Sequence, residues 1–286
     1  MRSMIFTGID KEETSMETKQ APIGVFDSGV GGLTVAREIM DQIPNERIIY
    51  FGDTARVPYG SKSKPTIIKY TKQIIRFLMT HDVKALVIAC NTMSACALEE
   101  VEKELPIPII GVVKPGARVA AKETRNGKIG VIATESTINS NLYQRFIKDM
   151  DPSVEVIGKA CPLFCPLVEE GMLDDPVTDE VAGRYLKELI EDDIDTLILG
   201  CTHYPLLAPA LKRIVGDKVK LVNPAYETAK QLKQLLINED LLSESPVLFE
   251  DHEFYVSDLA DKFTGFAAGV LHNEGLKSRQ VDIEKY

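Results

Sequence analysis

Apolar runs that end in small or polar residues divide most of this chain into alternating predicted strands and helices. PIGVF at residues 22–26, RIIYFGDT at 47–54 and LVIACNT at 86–92 each contain a short apolar run typical of a buried strand. Between them, residues 34–42 and 66–81 place apolar side chains at helical spacing. This alternation predicts an α/β fold with a mostly parallel sheet.

The same order of landmarks occurs twice along the chain. Four pairs of residues recur at offsets of 106 to 111 positions: Gly24 and Gly130, Gly52 and Gly158, Cys90 and Cys201, Pro115 and Pro224. This period is far longer than that of solenoid repeats, so it predicts two similar β/α domains that arose by internal duplication. Functional residues of such folds lie at the carboxyl ends of the strands, so we expect an active site in the cleft between the domains.

We predict a first domain from residues 21–114 together with 225–272, and a second domain from residues 115–224. HEFYVS at 252–257 is a predicted strand, and residues 258–271 a closing helix that we expect to pack back onto the first domain. Residues 1–20 have no apolar core of the signal-peptide kind, which indicates a disordered extension or a misassigned start with Met16 as the alternative. Residues 273–286 are predicted to be a polar tail.

Composition narrows the class of function. The net charge of −10 and the absence of tryptophan argue against nucleic acid as a partner. No apolar run approaches the roughly 18 residues of a membrane span, so we expect no membrane partner. Five cysteines without a secretory signal indicate reduced thiols and a cytoplasmic protein.

Cys90 and Cys201 are the central candidates for chemistry. A strand-end cysteine is often only a packing residue. Here, however, each cysteine precedes polar residues that are unusual in a core, Asn91-Thr92 and Thr202-His203. A strand end followed by a helix start exposes backbone N–H groups, which lower the pKa of a thiol and bind carboxylates. Together with the repeat, this favours a functional pair of thiols.

Three other residues are weaker candidates. His203 lies two residues after Cys201, so on an extended strand its side chain would share a face with that thiol and could tune it or act as an acid; a structural histidine is the alternative. Asp27 precedes a glycine-rich turn and could instead be an N-cap or turn residue. Glu169 could be a pocket acid, although its position alone is better explained by a solvated helix face.

Two classes of prosthetic group are not expected. The turn GVGG lacks the spacing of the dinucleotide-binding fingerprint, so we predict no nicotinamide cofactor. The four histidines are scattered and no C-x-x-C pair is present, so we predict no metal site and assign packing roles to Cys96, Cys161 and Cys165.

The motifs IGVFDSGVGGLTV, FGDTARVPYG, ACNTMSA, GVIATEST, LVEEG and GCTHYPLL resemble, in order, those of the glutamate racemases of the aspartate/glutamate racemase superfamily. The resemblance covers residues from about 21 to 272. It implies cofactor-independent interconversion of L- and D-glutamate, which supplies D-glutamate for peptidoglycan, by a cytoplasmic homodimer.

Residue roles also follow from the resemblance. It implies that Cys90 and Cys201 are the two catalytic bases, that Asp27 and His203 assist them, and that Glu169 lies in the pocket. The positions that would contact substrate are Asp27, Ser28, Tyr59, Gly60, Asn91, Thr92, Thr202 and His203.

Three alternatives stay open at the level of sequence. The substrate could be aspartate or a hydantoin, because the pocket and not the thiol pair sets specificity. A thiol hydrolase could use Cys201 as nucleophile and His203 as base, which leaves Cys90 without a role. A non-catalytic protein could bind a carboxylate at the same residues.

Overall fold

The computed structural model describes residues 18–286. In this part of the chain ten short strands form the framework, and their pairings are parallel. In chain order the strands are β1 (Ile23–Asp27), β2 (Ile48–Gly52), β3 (Ala85–Ile88), β4 (Ile109–Gly111), β5 (Lys128–Ala133), β6 (Glu155–Ala160), β7 (Thr196–Gly200), β8 (Lys220–Val222), β9 (Glu253–Val256) and β10 (Ser278–Gln280). They form a six-stranded sheet in the order β10-β9-β2-β1-β3-β4 and a four-stranded sheet in the order β6-β5-β7-β8.

Helices connect the strands and cover both faces of each sheet. They are α1 (Leu33–Gln42), α2 (Lys64–Met79), α3 (Asn91–Val101), α4 (Val113–Glu123), α5 (Glu135–Asn139), α6 (Leu142–Met150), α7 (Phe164–Glu169), α8 (Pro176–Glu191), α9 (Ala208–Val215), α10 (Pro224–Asn238) and α11 (Ala260–Leu271). Each sheet therefore has an apolar cluster on both faces, as a parallel sheet requires. None of the helices within residues 18–286 is long and apolar enough to cross a bilayer.

The two sheets repeat one plan, and the predicted α/β fold with two similar parallel sheets is confirmed. The order β2-β1-β3-β4 in the first sheet is that of β6-β5-β7-β8 in the second. Gly24 pairs with Leu86, and the equivalent Gly130 pairs with Leu197. A Cβ atom at Gly24 would lie 2.7 Å from the Leu86 side chain, and one at Gly130 would lie 3.1 Å from that of Leu197. The same local packing thus recurs in what we call the first unit (the six-stranded sheet and its helices) and the second unit (the four-stranded sheet and its helices).

The chain returns to the first sheet after the second. β9 pairs with β2, and β10 pairs with β9. The segment 273–286 is polar as expected, but it is not a free tail, because it contains β10 and the buried Ile283. The strand could not be detected from sequence because it is three polar residues long and shows no apolar alternation. The predicted extension at residues 1–20 lies outside the described residues except for residues 18–20.

Candidate functional site

The carboxyl ends of three strands place the main candidates at one cleft between the units. Asp27 is the last residue of β1, Cys90 lies two residues after β3, and Cys201 directly follows β7. The hydroxyl of Thr34, in α1, donates a hydrogen bond to the Thr202 carbonyl oxygen at 3.0 Å. Because Thr34 and Thr202 belong to different units, this bond joins the two halves of the cleft.

The start of α3 is also bonded across the cleft. The hydroxyl of Tyr143 donates to Asn91 Oδ1 at 2.6 Å, and both residues are buried. The Thr92 hydroxyl lies 2.9 Å from that of Thr134, in the second unit. These contacts fix the two polar residues that follow Cys90 against the opposite unit.

The Cys201 thiol lies in a row of polar side chains. Its Sγ is 3.7 Å from His203 Nδ1, and the other ring nitrogen, Nε2, is 3.1 Å from Glu169 Oε1. On another side, the same Sγ lies 3.5 Å from the Sγ of Cys165. His203 lies beside Cys201 as predicted, but a turn and not the expected extended strand brings it there, since β7 ends at Gly200. Glu169 is brought to them by α7, 34 residues earlier in the chain.

The Cys90 thiol has a different set of neighbours. Its Sγ donates to the Ser28 hydroxyl at 3.5 Å. Asp27 Oδ2 accepts from the backbone N–H groups of Gly29 and Gly32 at 3.1 and 3.0 Å, so the carboxylate closes its own turn. The N-cap interpretation is wrong, because Gly32 is the N-cap of α1. Its other oxygen, Oδ1, is buried and has no hydrogen-bond partner within residues 18–286. Asp27 is therefore both a turn residue and a carboxylate with free acceptor capacity.

The pKa values of both thiols are raised, by burial at Cys90 and by the contact with Cys165 together with burial at Cys201. Burial raises the pKa of Cys90, and the negative charges of Asp27 and of a Cys201 thiolate raise that pKa further. The hydrogen bond to Cys165, followed by burial, raises the pKa of Cys201, which His203 opposes. The N–H of Met93 at the start of α3 does lower the pKa of Cys90, as expected, but desolvation outweighs it and the net shift is upward. That a Cys201 charge acts on Cys90 indicates that the thiols lie within electrostatic reach of each other.

The ionisable side chains next to the thiols also have shifted pKa values. Burial would lower the pKa of His203, but its contacts with Cys201 and Glu169 and the charge of Asp27 raise that pKa overall. The hydrogen bond from His203 lowers the pKa of Glu169. Burial raises the pKa of Asp27, although the charge of His203 and three backbone N–H groups oppose it. The resulting site holds an imidazolium beside one thiol and a carboxyl group beside the other.

Glycines in the β1–α1 turn allow the two units to approach closely. A Cβ atom at Gly31 would lie 2.4 Å from the Thr202 hydroxyl and 2.6 Å from His203 Nδ1. One at Gly32 would lie 2.4 Å from the Cβ of Asp27. Only hydrogen fits at either position, so the turn lies directly against the polar side chains.

Tyr59 and Gly60 lie at the edge of the cleft, in the loop after β2. The Tyr59 hydroxyl donates to the Asp53 carboxylate and its ring is buried, so a substrate contact from this residue would come from its backbone. The Gly60 carbonyl accepts from the Ser136 hydroxyl at 2.7 Å, across the cleft. Beside this loop, a cavity of about 340 Å³ opens between Val57, Glu169 and Phe266.

Cys165 makes a contact that sequence reasoning missed. It packs against the apolar cluster of the second unit, as expected, but its thiol also contacts that of Cys201. Nothing in the local pattern FCPLVE signals this contact, since it depends on how α7 docks beside the end of β7. Cys161 and Cys96 pack against apolar clusters of the second and first units, as expected.

The duplicated parallel fold, with a buried thiol at the equivalent strand end of each unit, defines an α/β enzyme of the two-unit racemase class. The chain belongs to the Asp/Glu/Hydantoin racemase family, whose family model matches residues 23–232.

Individual relatives agree with this assignment and confirm the predicted resemblance. The glutamate racemase of Geobacter metallireducens is 48% identical over 265 residues, which cover 90% of this chain and 98% of that protein. A glutamate racemase isoform from Bacillus anthracis superposes with a TM-score of 0.89 at 40% identity, covering 92% of this chain and 98% of that one. The glutamate racemase of Francisella tularensis, solved in complex with D-glutamate, superposes with a TM-score of 0.87 at 40% identity. The match covers 94% of this chain and 100% of that one.

Proposed function

We propose that this protein interconverts L- and D-glutamate by proton exchange at Cα between Cys90 and Cys201. The observation that carries the proposal is that equivalent strand ends of the two units place one buried thiol each at the same cleft. Racemisation requires two groups on opposite faces of one carbon, and a duplicated fold supplies such a pair. The choice of glutamate is supported by the relatives described above, one of which was solved with D-glutamate.

The reaction needs one thiolate and one thiol. The thiolate takes the Cα proton, so a C–H bond breaks, an S–H bond forms, and the electron pair remains on the substrate as a carbanion conjugated with the carboxylate. The opposite thiol then gives its proton to the other face of Cα and becomes the thiolate. The roles exchange in the reverse direction, and each general acid–base step of this kind contributes about 10²–10⁴-fold in rate.

Polar groups around the thiols would stabilise the intermediate. The Cα–H of an amino acid is a very weak acid, so the carboxylate needs hydrogen-bond donors aimed at its developing charge. Ser28, Asn91, Thr92 and Thr202 are the donors we assign to it, with Tyr59 and Gly60 lining the same space. The N-terminus of α3, which spans eleven residues, adds a favourable dipole beside Asn91.

We propose that each thiol exchanges its proton with a neighbouring ionisable side chain, His203 for Cys201 and Asp27 for Cys90. His203, held by Glu169, is placed to keep a proton near Cys201 and to return it. Asp27, whose charge acts on Cys90, does the same on the opposite side. Removing water from the cleft strengthens all of these interactions, because charges attract more strongly at low dielectric.

The wider role follows from the same proposal. We propose that the protein needs no cofactor, acts in the cytoplasm as a homodimer and supplies D-glutamate for peptidoglycan. Five free cysteines are consistent with a reducing compartment. Light scattering of the purified protein tests the dimer, and a monomer at assay concentration would contradict it.

Incubation of the purified protein with L-glutamate in D2O, without added cofactor, tests the reaction. We expect loss of optical activity together with deuterium at Cα. Cys90→Ser and Cys201→Ser should each lower the rate by about 10²–10⁴-fold. Cys96→Ser is the matched control, since this half-buried thiol packs against the apolar cluster of the first unit.

Three results would count against the proposal in different ways. Full racemisation in either Cys90→Ser or Cys201→Ser would refute the two-thiol mechanism. Turnover of L-aspartate but not of L-glutamate would change the substrate. A covalent acyl-enzyme on Cys201 would instead indicate a hydrolase.

A further inference from the structure

Three side chains of the second unit place their donor atoms within 4.8 Å of one another: Cys165, Cys201 and His203. The two Sγ atoms are 3.5 Å apart, and Cys201 Sγ is 3.7 Å from His203 Nδ1. Thiolate sulfur and imidazole nitrogen are the ligands that Zn²⁺ prefers in proteins. The sequence shows no metal-binding motif of closely spaced ligands here, because Cys165 lies in α7 and the other two residues follow β7.

The spacing of the donor atoms fits tetrahedral zinc. With Zn–S bonds of about 2.3 Å and Zn–N bonds of about 2.0–2.1 Å, two sulfurs on one ion lie about 3.8 Å apart and a sulfur and nitrogen about 3.6 Å apart. The corresponding distances here are 3.5 and 3.7 Å. Only small shifts would therefore bring both pairs to coordination geometry.

The histidine has the outer partner that metal-bound histidines usually have. His203 Nε2 is 3.1 Å from Glu169 Oε1, so the carboxylate favours a proton on Nε2. Loss of the other ring proton would then leave the Nδ1 lone pair facing the Cys201 thiol, 3.7 Å away. A carboxylate–histidine–metal arrangement of this kind fixes the ring and raises its basicity as a ligand.

The scaffold holds these ligands in place before any ion arrives. The Tyr204 hydroxyl donates to the Cys161 carbonyl oxygen at 2.8 Å, which ties the turn after Cys201 to the residues preceding α7. The rings of Phe164 and Tyr204 contact edge to face with centroids 5.2 Å apart. Since Cys165 follows Phe164 directly, its position relative to Cys201 is set by buried packing.

We propose that Cys165, Cys201 and His203 form an inhibitory site for a thiophilic divalent cation, Zn²⁺ in particular. Binding would release the two thiol protons and the Nδ1 proton of the His203 imidazolium to solvent, and would leave the fourth tetrahedral position to water or a small anion. The metal site stands on geometry alone, whereas the inhibition rests on the proposed function, because the metal would occupy the Cys201 thiol and the His203 ring. Cys165 would thereby give this racemase a sensitivity to zinc that a chain without a thiol at this position lacks.

Titration of the reduced full-length protein with Co²⁺ and Zn²⁺ tests the site directly. We expect one Co²⁺ per chain, with thiolate-to-cobalt charge-transfer absorption and the intense visible bands of a tetrahedral ion, displaced by Zn²⁺. Cys165→Val should weaken Zn²⁺ binding by more than the roughly 10–100-fold cost of losing an outer partner, and Glu169→Gln should fall within that range. Cys165→Ser provides a second variant if the valine disturbs folding, and Cys96→Ser is the control that keeps the site.

Inhibition is measured against each variant's own rate without metal, with a phosphine reductant present. Zinc should inhibit the unmodified protein, a chelator should restore the rate, and Cys165→Val should need about 100-fold more zinc or more. Equal Zn²⁺ affinity in the unmodified protein, Cys165→Val and Cys165→Ser would overturn the site, as would cobalt binding that survives Cys201→Ser. A protein that binds cobalt as described but does not racemise glutamate would refute the proposed function alone, and the converse would refute the metal site alone.

Discussion

Replacing Gly31 by alanine should damage the cleft without unfolding either unit. The backbone at Gly31 does not need the left-handed conformation that favours glycine, so only the added methyl group matters. That methyl would lie 2.4 Å from the Thr202 hydroxyl and 2.6 Å from His203 Nδ1, where ordinary contacts lie at 3.4–4 Å. The Thr202 and His203 side chains, or the unit that carries them, must therefore move by about 1 Å, the difference between 3.4 and 2.4 Å.

The size of the effect follows from this displacement. Overpacking a close contact costs about 1–3 kcal/mol of stability. A misplacement of about 1 Å in an active site can cost about 100-fold in rate. We therefore expect kcat/KM for glutamate to fall by about 100-fold in both directions, while far-ultraviolet circular dichroism stays unchanged.

The control is Gly183→Ala, since Gly183 lies in α8 and a Cβ atom there meets no other group within 4 Å. Alanine in a helix interior should stabilise this variant by about 0.5–1 kcal/mol and leave activity intact. If kcat/KM of Gly31→Ala stays within about threefold of the unmodified protein, under 1 kcal/mol of transition-state energy, the close approach of the units has no role in catalysis.

Two further substitutions test the polar contacts of the cleft. Glu169→Gln removes a carboxylate that raises the pKa of His203, so the imidazolium should lose its proton at lower pH. The corresponding limb of the kcat/KM profile should then move to lower pH; an unmoved profile would contradict the coupling. Tyr143→Phe leaves Asn91 Oδ1 buried without its donor and should lower the free energy of unfolding in urea by about 1–3 kcal/mol. The half-exposed Tyr226 offers the matched control, and an equal loss in Tyr226→Phe would refute this reasoning.

Most of the framework could be predicted from sequence because its strands are buried apolar runs and its helices have a clear apolar face. The predicted helix at residues 66–81 corresponds to α2, and the strand predicted at 252–257 contains β9. The internal repeat predicts two sheets with the same strand order, whereas single motifs predict only individual strands.

The remainder depends on contacts between elements that are distant in sequence. The contact of Cys165 with Cys201 requires the docking of α7, and Asp53 binds the Tyr59 hydroxyl through the fold of the loop after β2. The direction of the Cys90 pKa shift could not be predicted from sequence either. The helix start, which lowers the pKa, can be recognised in the sequence, but the desolvation that raises it depends on the fold.

The raised pKa of both buried thiols has a consequence for the resting protein. At neutral pH Cys90 and Cys201 would be protonated, and neutral thiols react slowly with oxidants and alkylating reagents. Glutamate carries an ammonium group, and its entry would add a positive charge to a cleft in which both thiols are uncharged. The charge of the substrate would then lower the pKa of the thiol that attacks it. Without substrate, both thiols would stay protonated and unreactive. Slow labelling of both cysteines by iodoacetamide in the unliganded protein is the measurable sign of this protection.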